Sequence, residues 1–158
     1  MEYFFLHGLD SSSRGTKGNF FRENFSFFAL PDFEGDLKER LARLETLCQG
    51  KEDLILVGSS FGGLMAACFA IAHESQVNKL ILLAPALNFP GYRIPEKKIG
   101  IPVYLLIGSR DTVTPKETVL PLAEKSFANL EVNLVNEDHL LHQSFASLDW
   151  AALLEMDD

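Results

Sequence analysis

The fold of this chain is decided by the stretch Leu-Ile-Leu-Val-Gly-Ser-Ser-Phe-Gly-Gly, residues 54–63. Its first half, Leu54–Gly58, is an apolar run that predicts a strand covered on both faces. Phe61–His73 is almost entirely apolar and predicts a buried helix directly after that strand. Residues 58–62 match the pattern G-x-S-x-G, in which a serine occupies a sharp turn from strand to helix. The stretch therefore predicts a β-α unit with Ser60 raised at its turn.

The same alternation of short apolar runs and longer amphipathic stretches extends along the chain. The predicted strands are Tyr3–His7, Phe25–Leu30, Leu54–Gly58, Leu80–Ala84, Val103–Ile107 and Val132–Val135. The predicted helices are Gly15–Asn24, Asp36–Leu47, Phe61–His73, Pro115–Phe127 and Leu140–Leu154. Thr114 is predicted to cap the fourth helix because it precedes Pro115. Strands that alternate with helices predict an α/β fold, a three-layer sandwich in which a mostly parallel sheet of about six strands carries helices on both faces.

Length and composition limit the class of protein. The 158 residues fit a single domain, residues 1–158, and 47% hydrophobic against 23% charged residues is typical of a folded globular chain. The net charge of −8 argues against a nucleic-acid partner, because an acidic surface repels phosphate groups. The sequence therefore favours a small-molecule partner and leaves the oligomeric state open.

The sequence also predicts a cytoplasmic protein without membrane insertion. The longest wholly apolar run, Leu80–Leu87, is too short to span a bilayer, and Met1–Gly8 lacks the basic start of a signal peptide. Two cysteines, Cys48 and Cys68, are too few for a disulfide framework, and both are expected to be buried apolar side chains.

Ser60 is the candidate nucleophile. The glycines two positions before and after it let the chain turn tightly and lift the serine hydroxyl above the sheet edge. The turn also aims the N–H of Phe61, at the start of the helix, toward a developing oxyanion. Two other interpretations are a structural glycine-rich turn and an anion-binding helix N-terminus. The second is weakened because the spacing is not G-x-G-x-x-G and no lysine follows.

A serine nucleophile needs a base, and His139 is the candidate. It comes directly after the sixth predicted strand, and chemistry in parallel sheets collects beyond the carboxyl ends of the strands. His142 lies one helical turn further along and is the alternative, and a solvated loop histidine is the interpretation without function. His73 is more than three turns along the helix that follows Ser60, too far to reach the hydroxyl, and His7 is expected to orient the first loop.

Asp111, which follows the fifth predicted strand, is the candidate carboxylate that orients the base. The sequence Asp-Thr-Val-Thr-Pro also suits an aspartate that only caps a turn or a helix. Asp138 is adjacent to His139, but neighbouring side chains diverge, and Asp32 is a more distant alternative.

The second oxyanion donor is predicted to be the N–H of Leu9, which would act with the N–H of Phe61. Gly8 precedes it and lets the backbone pass close to the active centre. Asp10–Ser13 could instead be only a turn that starts the first helix.

The chain resembles the α/β-hydrolase superfamily over nearly its whole length, through His7-Gly8, Gly58–Gly63, Asp111 and His139 in that order. It more closely resembles the small bacterial YqiA-like esterases, a match carried by Leu6–Arg14 and Val57–Gly63. The resemblance implies a Ser-His-Asp triad in which Ser60 is the nucleophile, His139 the general base and then the acid, and Asp111 the residue that orients it. It also implies an acyl-enzyme intermediate and neither a cofactor nor a metal.

The chain departs from the larger superfamily members in two ways. It has room for about six strands rather than eight, and the region that usually forms a lid is here only about Leu87–Ile101. A site without a lid should be open and shallow, which disfavours a lipase with interfacial activation. A peptidase of the same fold would usually need a cap to select a peptide terminus.

We therefore expect a carboxylesterase or thioesterase for esters with small or short acyl groups. The alternatives are a non-catalytic binding module on a hydrolase scaffold and a peptidase of the same fold. Arg14 and Lys17 are either a solvated face or contacts to an anionic leaving group.

Overall fold

The computed structural model describes residues 1–155. Its strands are β1 (Glu2–Leu6), β2 (Phe28–Ala29), β3 (Leu54–Ser59), β4 (Val77–Leu83), β5 (Ile99–Gly108) and β6 (Phe127–Val135). Its helices are α1 (Thr16–Asn24), α2 (Leu37–Cys48), α3 (Phe61–Ala72), α4 (Lys116–Ser126), α5 (His142–Ser147) and α6 (Trp150–Leu153), with a 3₁₀ turn at Glu74–Gln76.

The strands form one six-stranded sheet in the order β2-β1-β3-β4-β5-β6, and every neighbouring pair is parallel. This arrangement confirms the predicted α/β fold. The carboxyl ends of all the strands therefore meet at one edge of the sheet, where the loops that follow β1, β3, β5 and β6 lie.

The core has two halves, one on each face of the sheet. Along β3, Leu54 and Leu56 point into one half while Ile55 and Val57 point into the other, and all four are fully buried. Residues of α2, α3 and α4 cover the first face, and residues of α1, α5 and α6 cover the second. Because both faces are covered, the strand is a continuous apolar run, and each buried aliphatic side chain contributes about 1.5–3 kcal/mol.

The second strand is shorter than the sequence predicts. Where Phe25–Leu30 was expected, only Phe28–Ala29 pairs with β1. The preceding residues form a turn closed by a hydrogen bond of 3.1 Å from the N–H of Phe28 to the carbonyl of Phe25. Their rings pack on one another at the sheet edge. An aromatic cluster therefore produces the apolar run that indicated a longer strand.

The last strands are longer than the sequence predicts. Strand β6 runs over Phe127–Val135 rather than Val132–Val135, and β5 starts at Ile99 rather than Val103. β6 is an edge strand, and in its first half the exposed residues Asn129 and Glu131 interrupt the apolar ones. The expected apolar pattern is therefore missing there.

The predicted final helix, Leu140–Leu154, is wrong, since α5 and α6 replace it. The chain leaves helical geometry at Leu148, where ψ is 144°. Asp149 then starts α6 by accepting a hydrogen bond of 3.1 Å from the N–H of Ala152. Aspartate is a strong N-cap residue, so this break had a signal in the sequence.

The connection from β4 to β5, residues 84–98, contains neither a helix nor a strand, and no lid domain is present there. None of the helices within residues 1–155 is long and apolar enough to cross a bilayer.

Candidate active site

Ser60 occupies the turn between β3 and α3 in a strained backbone conformation. Its φ is 56° and its ψ is −114°, an unusual combination for a residue with a side chain. Such a conformation costs about 1–3 kcal/mol and persists only where its surroundings enforce it. Here the Ser60 N–H donates to the carbonyl of Leu83 at 2.9 Å, and the Ser60 carbonyl accepts from the N–H of Ala86 at 2.9 Å. These bonds hold the turn against the end of β4.

The two glycines of G-x-S-x-G are required by close backbone packing. A Cβ atom at Gly58 would collide with the carbonyl of Gly62, and one at Gly62 would collide with the carbonyl of Leu6 at the end of β1. The turn is thus pressed onto the neighbouring strand, and this contact explains the spacing recognised in the sequence.

His139 contacts both of the other predicted triad residues. Its Nε2 lies 2.9 Å from Oγ of Ser60, and its Nδ1 lies 2.7 Å from Oδ2 of Asp111. An ionised carboxylate only accepts hydrogen bonds, so Nδ1–H donates to it. That leaves Nε2 without a proton, and it accepts the hydrogen bond of the serine hydroxyl.

The loop that carries His139 is held in place by its own polar groups. The carboxylate of Glu137 accepts hydrogen bonds of 2.9 Å from the N–H groups of Gln143 and Ser144 at the start of α5. Burial alone would raise the pKa of Glu137, but hydrogen bonds from the side chain and backbone of Ser144 and from the backbone of Gln143, with the Coulomb attraction of His142, outweigh it and lower the pKa. Asp138 accepts a bond of 3.0 Å from the N–H of Leu140. The imidazole is therefore presented by a constrained turn.

Asp111 is buried, and its carboxylate accepts four hydrogen bonds. Oδ1 accepts the N–H groups of Val113 and Thr114, each at 2.8 Å. Oδ2 accepts the Thr114 hydroxyl and the His139 ring, each at 2.7 Å. Burial by itself would raise the pKa of Asp111, but the hydrogen bonds from Thr114 and His139 outweigh it and lower the pKa. The carboxylate therefore stays charged beside the imidazole. Oδ1 thus binds backbone N–H groups of the following turn while Oδ2 contacts the imidazole, so the geometry is compatible with both the turn-capping and the orienting interpretation.

Thr114 is the site residue that the sequence analysis missed. It was predicted as the cap of α4, but Pro115 occupies that position. The Thr114 hydroxyl is instead buried against Asp111 and lies 3.2 Å from Nδ1 of His139. An aspartate followed three residues later by threonine was the available signal, since that spacing lets the threonine hydroxyl return to the carboxylate.

Within residues 1–155 the alternative residues make no hydrogen bond to Ser60 or His139, although His142 lines the cavity in front of Ser60. Asp32 accepts hydrogen bonds from the backbone and hydroxyl of Ser13, and His73 pairs with Glu45 at 2.9 Å. His142 is exposed on α5, and among residues 1–155 it makes no hydrogen bond to Ser60.

His7 orients the first loop as expected. Its Nε2 accepts the N–H of Phe33 at 2.9 Å, so Nδ1 carries the proton and donates to the carbonyl of Gly8 at 2.7 Å. Gly8 lies against Ser60, since a Cβ atom at Gly8 would be 3.6 Å from the Cβ of Ser60.

Leu9 and Phe61, the predicted oxyanion donors, both line the cavity beside Ser60. Phe61 is the first residue of α3, where backbone N–H groups have no partner within the helix. No hydrogen bond joins the N–H of Leu9 or Phe61 to an acceptor within residues 1–155.

The cavity in front of Ser60 has a volume of about 670 Å³ and mainly apolar walls. Its large apolar side chains are Phe5, Leu9, Phe20, Phe61, Phe89, Val113, Leu140 and Phe145. Four of these, Leu9, Phe89, Val113 and Leu140, are exposed at the rim. No group of three or more His, Cys, Asp or Glu side chains within residues 1–155 is arranged to hold a metal ion.

Three comparisons with known proteins bear on this site. A family profile described as serine aminopeptidase, S33, matches residues 26–97, a range that includes Ser60 but neither Asp111 nor His139. Lipase LipV of Mycobacterium tuberculosis is 31% identical over 96 residues, which cover 59% of this chain and 35% of the lipase. The match thus spans about a third of that relative.

Solved structures share the fold. Alpha/beta hydrolase domain-containing protein 10 from mouse superimposes with a TM-score of 0.79 at 20% identity, covering 98% of this chain and 89% of that one. An α/β-superfamily protein from Xanthomonas campestris gives 0.77 at 25% identity and covers 98% of both chains. A monoacylglycerol lipase of Paleococcus ferrophilus gives 0.73 at 16% identity, covering 97% of this chain and 92% of that one.

Proposed function

We propose that this chain, a member of the α/β-hydrolase superfamily without a lid domain, is a serine hydrolase that cleaves carboxylic esters or thioesters with small or short acyl groups. One observation carries the proposal, the unbroken line of hydrogen bonds from Ser60 through His139 to Asp111, with lengths of 2.9 and 2.7 Å. The finer resemblance to YqiA-like esterases stays a prediction.

The first chemical step is attack of the Ser60 hydroxyl on the ester carbonyl. Nε2 of His139 takes the hydroxyl proton as the O–C bond forms, and the buried charge of Asp111 stabilises the imidazolium. The same nitrogen then gives the proton to the leaving alcohol or thiol, and the acyl group stays on the serine. Because Nδ1–H is held by the carboxylate, the ring keeps the tautomer in which Nε2 is the base.

The carbonyl oxygen gains negative charge in this step, and the N–H groups of Leu9 and Phe61 are proposed to bind it. Both residues flank Ser60, and neither N–H is committed to another acceptor within residues 1–155. Donors already in place need no rearrangement when the charge appears, which makes them effective. Water then attacks the acyl-enzyme while His139 takes its proton. The bond between the acyl carbon and Oγ of Ser60 breaks, His139 returns the proton to Oγ, and the acid is released.

The cavity supports a small or short-acyl substrate. Its apolar walls suit an aliphatic or aromatic group, and the connection from β4 to β5 supplies no lid that would enclose a long chain. An open site also accepts oxygen esters and thioesters alike.

A fluorophosphonate probe tests the proposal directly, because it reacts only with an activated serine. We expect labelling of the wild type at Ser60, none in Ser60→Ala, and full labelling in Ser59→Ala, the matched control one residue earlier. We also expect p-nitrophenyl butyrate to be hydrolysed, with kcat about 10³-fold or more lower in Ser60→Ala. Labelling at another residue, or none, would count against a serine hydrolase and favour a binding module.

A peptidase is the second candidate, because the matching family profile is described as a serine aminopeptidase. Aminoacyl p-nitroanilides distinguish the two activities when compared with p-nitrophenyl esters of the same acyl group. Turnover of the anilides at rates close to those of the esters would favour the peptidase.

A further inference from the structure

A single lysine, alongside three histidines, faces the mainly apolar cavity. Within residues 1–155, Lys17 is the one lysine or arginine that lines the cavity in front of Ser60. It lies near the start of α1 and is half-buried. Arg14, three residues earlier, is exposed and does not line the cavity.

The Lys17 ammonium has few partners within the described part of the chain. Its Nζ donates one hydrogen bond of 3.0 Å to the carbonyl of Leu140 and lies 5.4 Å from the ring centre of Phe145. No carboxylate oxygen of residues 1–155 lies within 4 Å of it. Burial lowers the pKa of Lys17, and only the Coulomb attraction of Glu137 opposes this effect. An ammonium has three donors, so two remain for a ligand.

We propose that Lys17 is a specificity-determining residue that binds an anionic group, such as a carboxylate, on the substrate of the proposed hydrolase. The inference rests on the proposed function, because the cavity that Lys17 lines is the one that contains Ser60. A charge on an apolar wall is poorly hydrated. An anionic group that binds it there therefore gains more electrostatic binding free energy than it would in water. The remaining apolar surface would hold the carbon skeleton of the same substrate.

A purely structural role for Lys17 has a different signature. Its bond to Leu140 joins α1 to the residue that follows His139. Loss of that bond would disturb the imidazole and slow the hydrolysis of every ester by the same factor. An anion-binding role changes the ratio between charged and neutral substrates. The ratio of kcat/KM values is therefore the measurement that separates the two roles.

The test uses two matched pairs of esters, since the anionic group can lie on either side of the scissile bond. On the acyl side, p-nitrophenyl hemiadipate is compared with p-nitrophenyl hexanoate. On the alcohol side, 4-(butanoyloxy)benzoate is compared with its methyl ester, and release of the phenol is followed. Each pair is measured with the wild type, Lys17→Met, Lys17→Arg and Arg14→Met.

We expect Lys17→Met to lower the charged-to-neutral ratio of kcat/KM by about tenfold or more in one of the two pairs, as for loss of a hydrogen bond to a charged group. Lys17→Arg should restore most of the ratio because it restores the charge. Arg14→Met should leave the ratio within about twofold of the wild type, because an exposed charge outside the cavity is screened.

An unchanged ratio in both pairs with Lys17→Met would overturn the inference, and so would an equal drop with Arg14→Met. If the neutral esters are turned over but the ratio does not depend on Lys17, the inference fails while the proposed function stands. If the wild type hydrolyses none of the four esters and no probe labels Ser60, the proposed function fails and the inference fails with it.

Discussion

The hydroxyl of Thr114 donates a hydrogen bond of 2.7 Å to Oδ2 of Asp111, the oxygen that also accepts the imidazole of His139. Two donors thus converge on one carboxylate oxygen at the bottom of the site. The threonine favours the charged form of the aspartate. It also limits the directions from which Oδ2 can accept the hydrogen bond of the His139 ring.

Replacement of Thr114 by valine removes this hydroxyl and keeps the shape of the side chain. We expect kcat for p-nitrophenyl butyrate to fall about three- to tenfold. A hydrogen bond to a charged group contributes about 1.5–3 kcal/mol, and only part of that free energy changes the activation barrier. Thr114→Ser keeps the hydroxyl and should retain most of the activity. The variants are compared by steady-state kinetics across pH. Wild-type kcat in Thr114→Val would overturn the prediction, and a loss in Thr114→Ser alone would show that packing of the methyl group matters instead.

Asp111 should make stability depend on pH in the acid range. Its pKa is lower in the folded protein than its ordinary value of about 3.9, so the charged carboxylate stabilises the fold. This contribution is fully present above the ordinary pKa and is lost as the pH falls through the lowered folded pKa. Denaturant unfolding of the wild type and of Asp111→Asn measures it at several pH values.

We expect the wild type to have a higher free energy of unfolding than Asp111→Asn at pH 6. This difference between the two proteins should shrink below about pH 4. A difference that is constant across this range would show that the charge of Asp111 does not contribute.

Ser60, His139 and Asp111 should act as one unit. We expect Ser60→Ala and His139→Asn each to lower kcat by about 10³-fold or more, and the double variant to be little worse than either one. Steady-state kinetics with p-nitrophenyl butyrate checks this. His73→Asn is the matched control, since His73 pairs with Glu45 away from the site, and it should keep wild-type activity. Losses that multiply in the double variant would mean that the two residues work independently.

Gly62 should not tolerate even one added methyl group. A Cβ atom there would collide with the backbone carbonyls of Leu6 and His7, which cannot move aside as a side chain can. We expect Gly62→Ala to lower the free energy of unfolding by about 1–3 kcal/mol, the usual cost of overpacking, and to reduce probe labelling of Ser60. Gly100→Ala is the control, because its nearest neighbour, the carboxylate of Glu74, is 3.9 Å away. Similar losses in both variants would argue against a packing role specific to the turn.

Several features of the fold were predictable because their signals are local. The run of apolar residues at Leu54–Gly58 and the spacing of the glycines around Ser60 predicted a strand, a tight turn and a buried helix. Such patterns show within a short stretch which positions are buried on both faces and which have no room for a Cβ atom, even though the groups that fill that room, such as the carbonyl of Leu6, come from distant segments. The same kind of signal misled at Phe25–Leu30, because an aromatic cluster and a strand both need apolar residues.

The sequence by itself determined the parallel α/β architecture and the small set of polar residues that end its strands. Only the tertiary structure decided which of them meet. It placed Asp111 rather than Asp138 or Asp32 against His139, directed the Thr114 hydroxyl to that carboxylate, and turned Lys17 into the cavity. The physical reason is that the direction of a side-chain hydrogen bond depends on how distant segments pack across one sheet edge, and spacing along the chain does not record that packing.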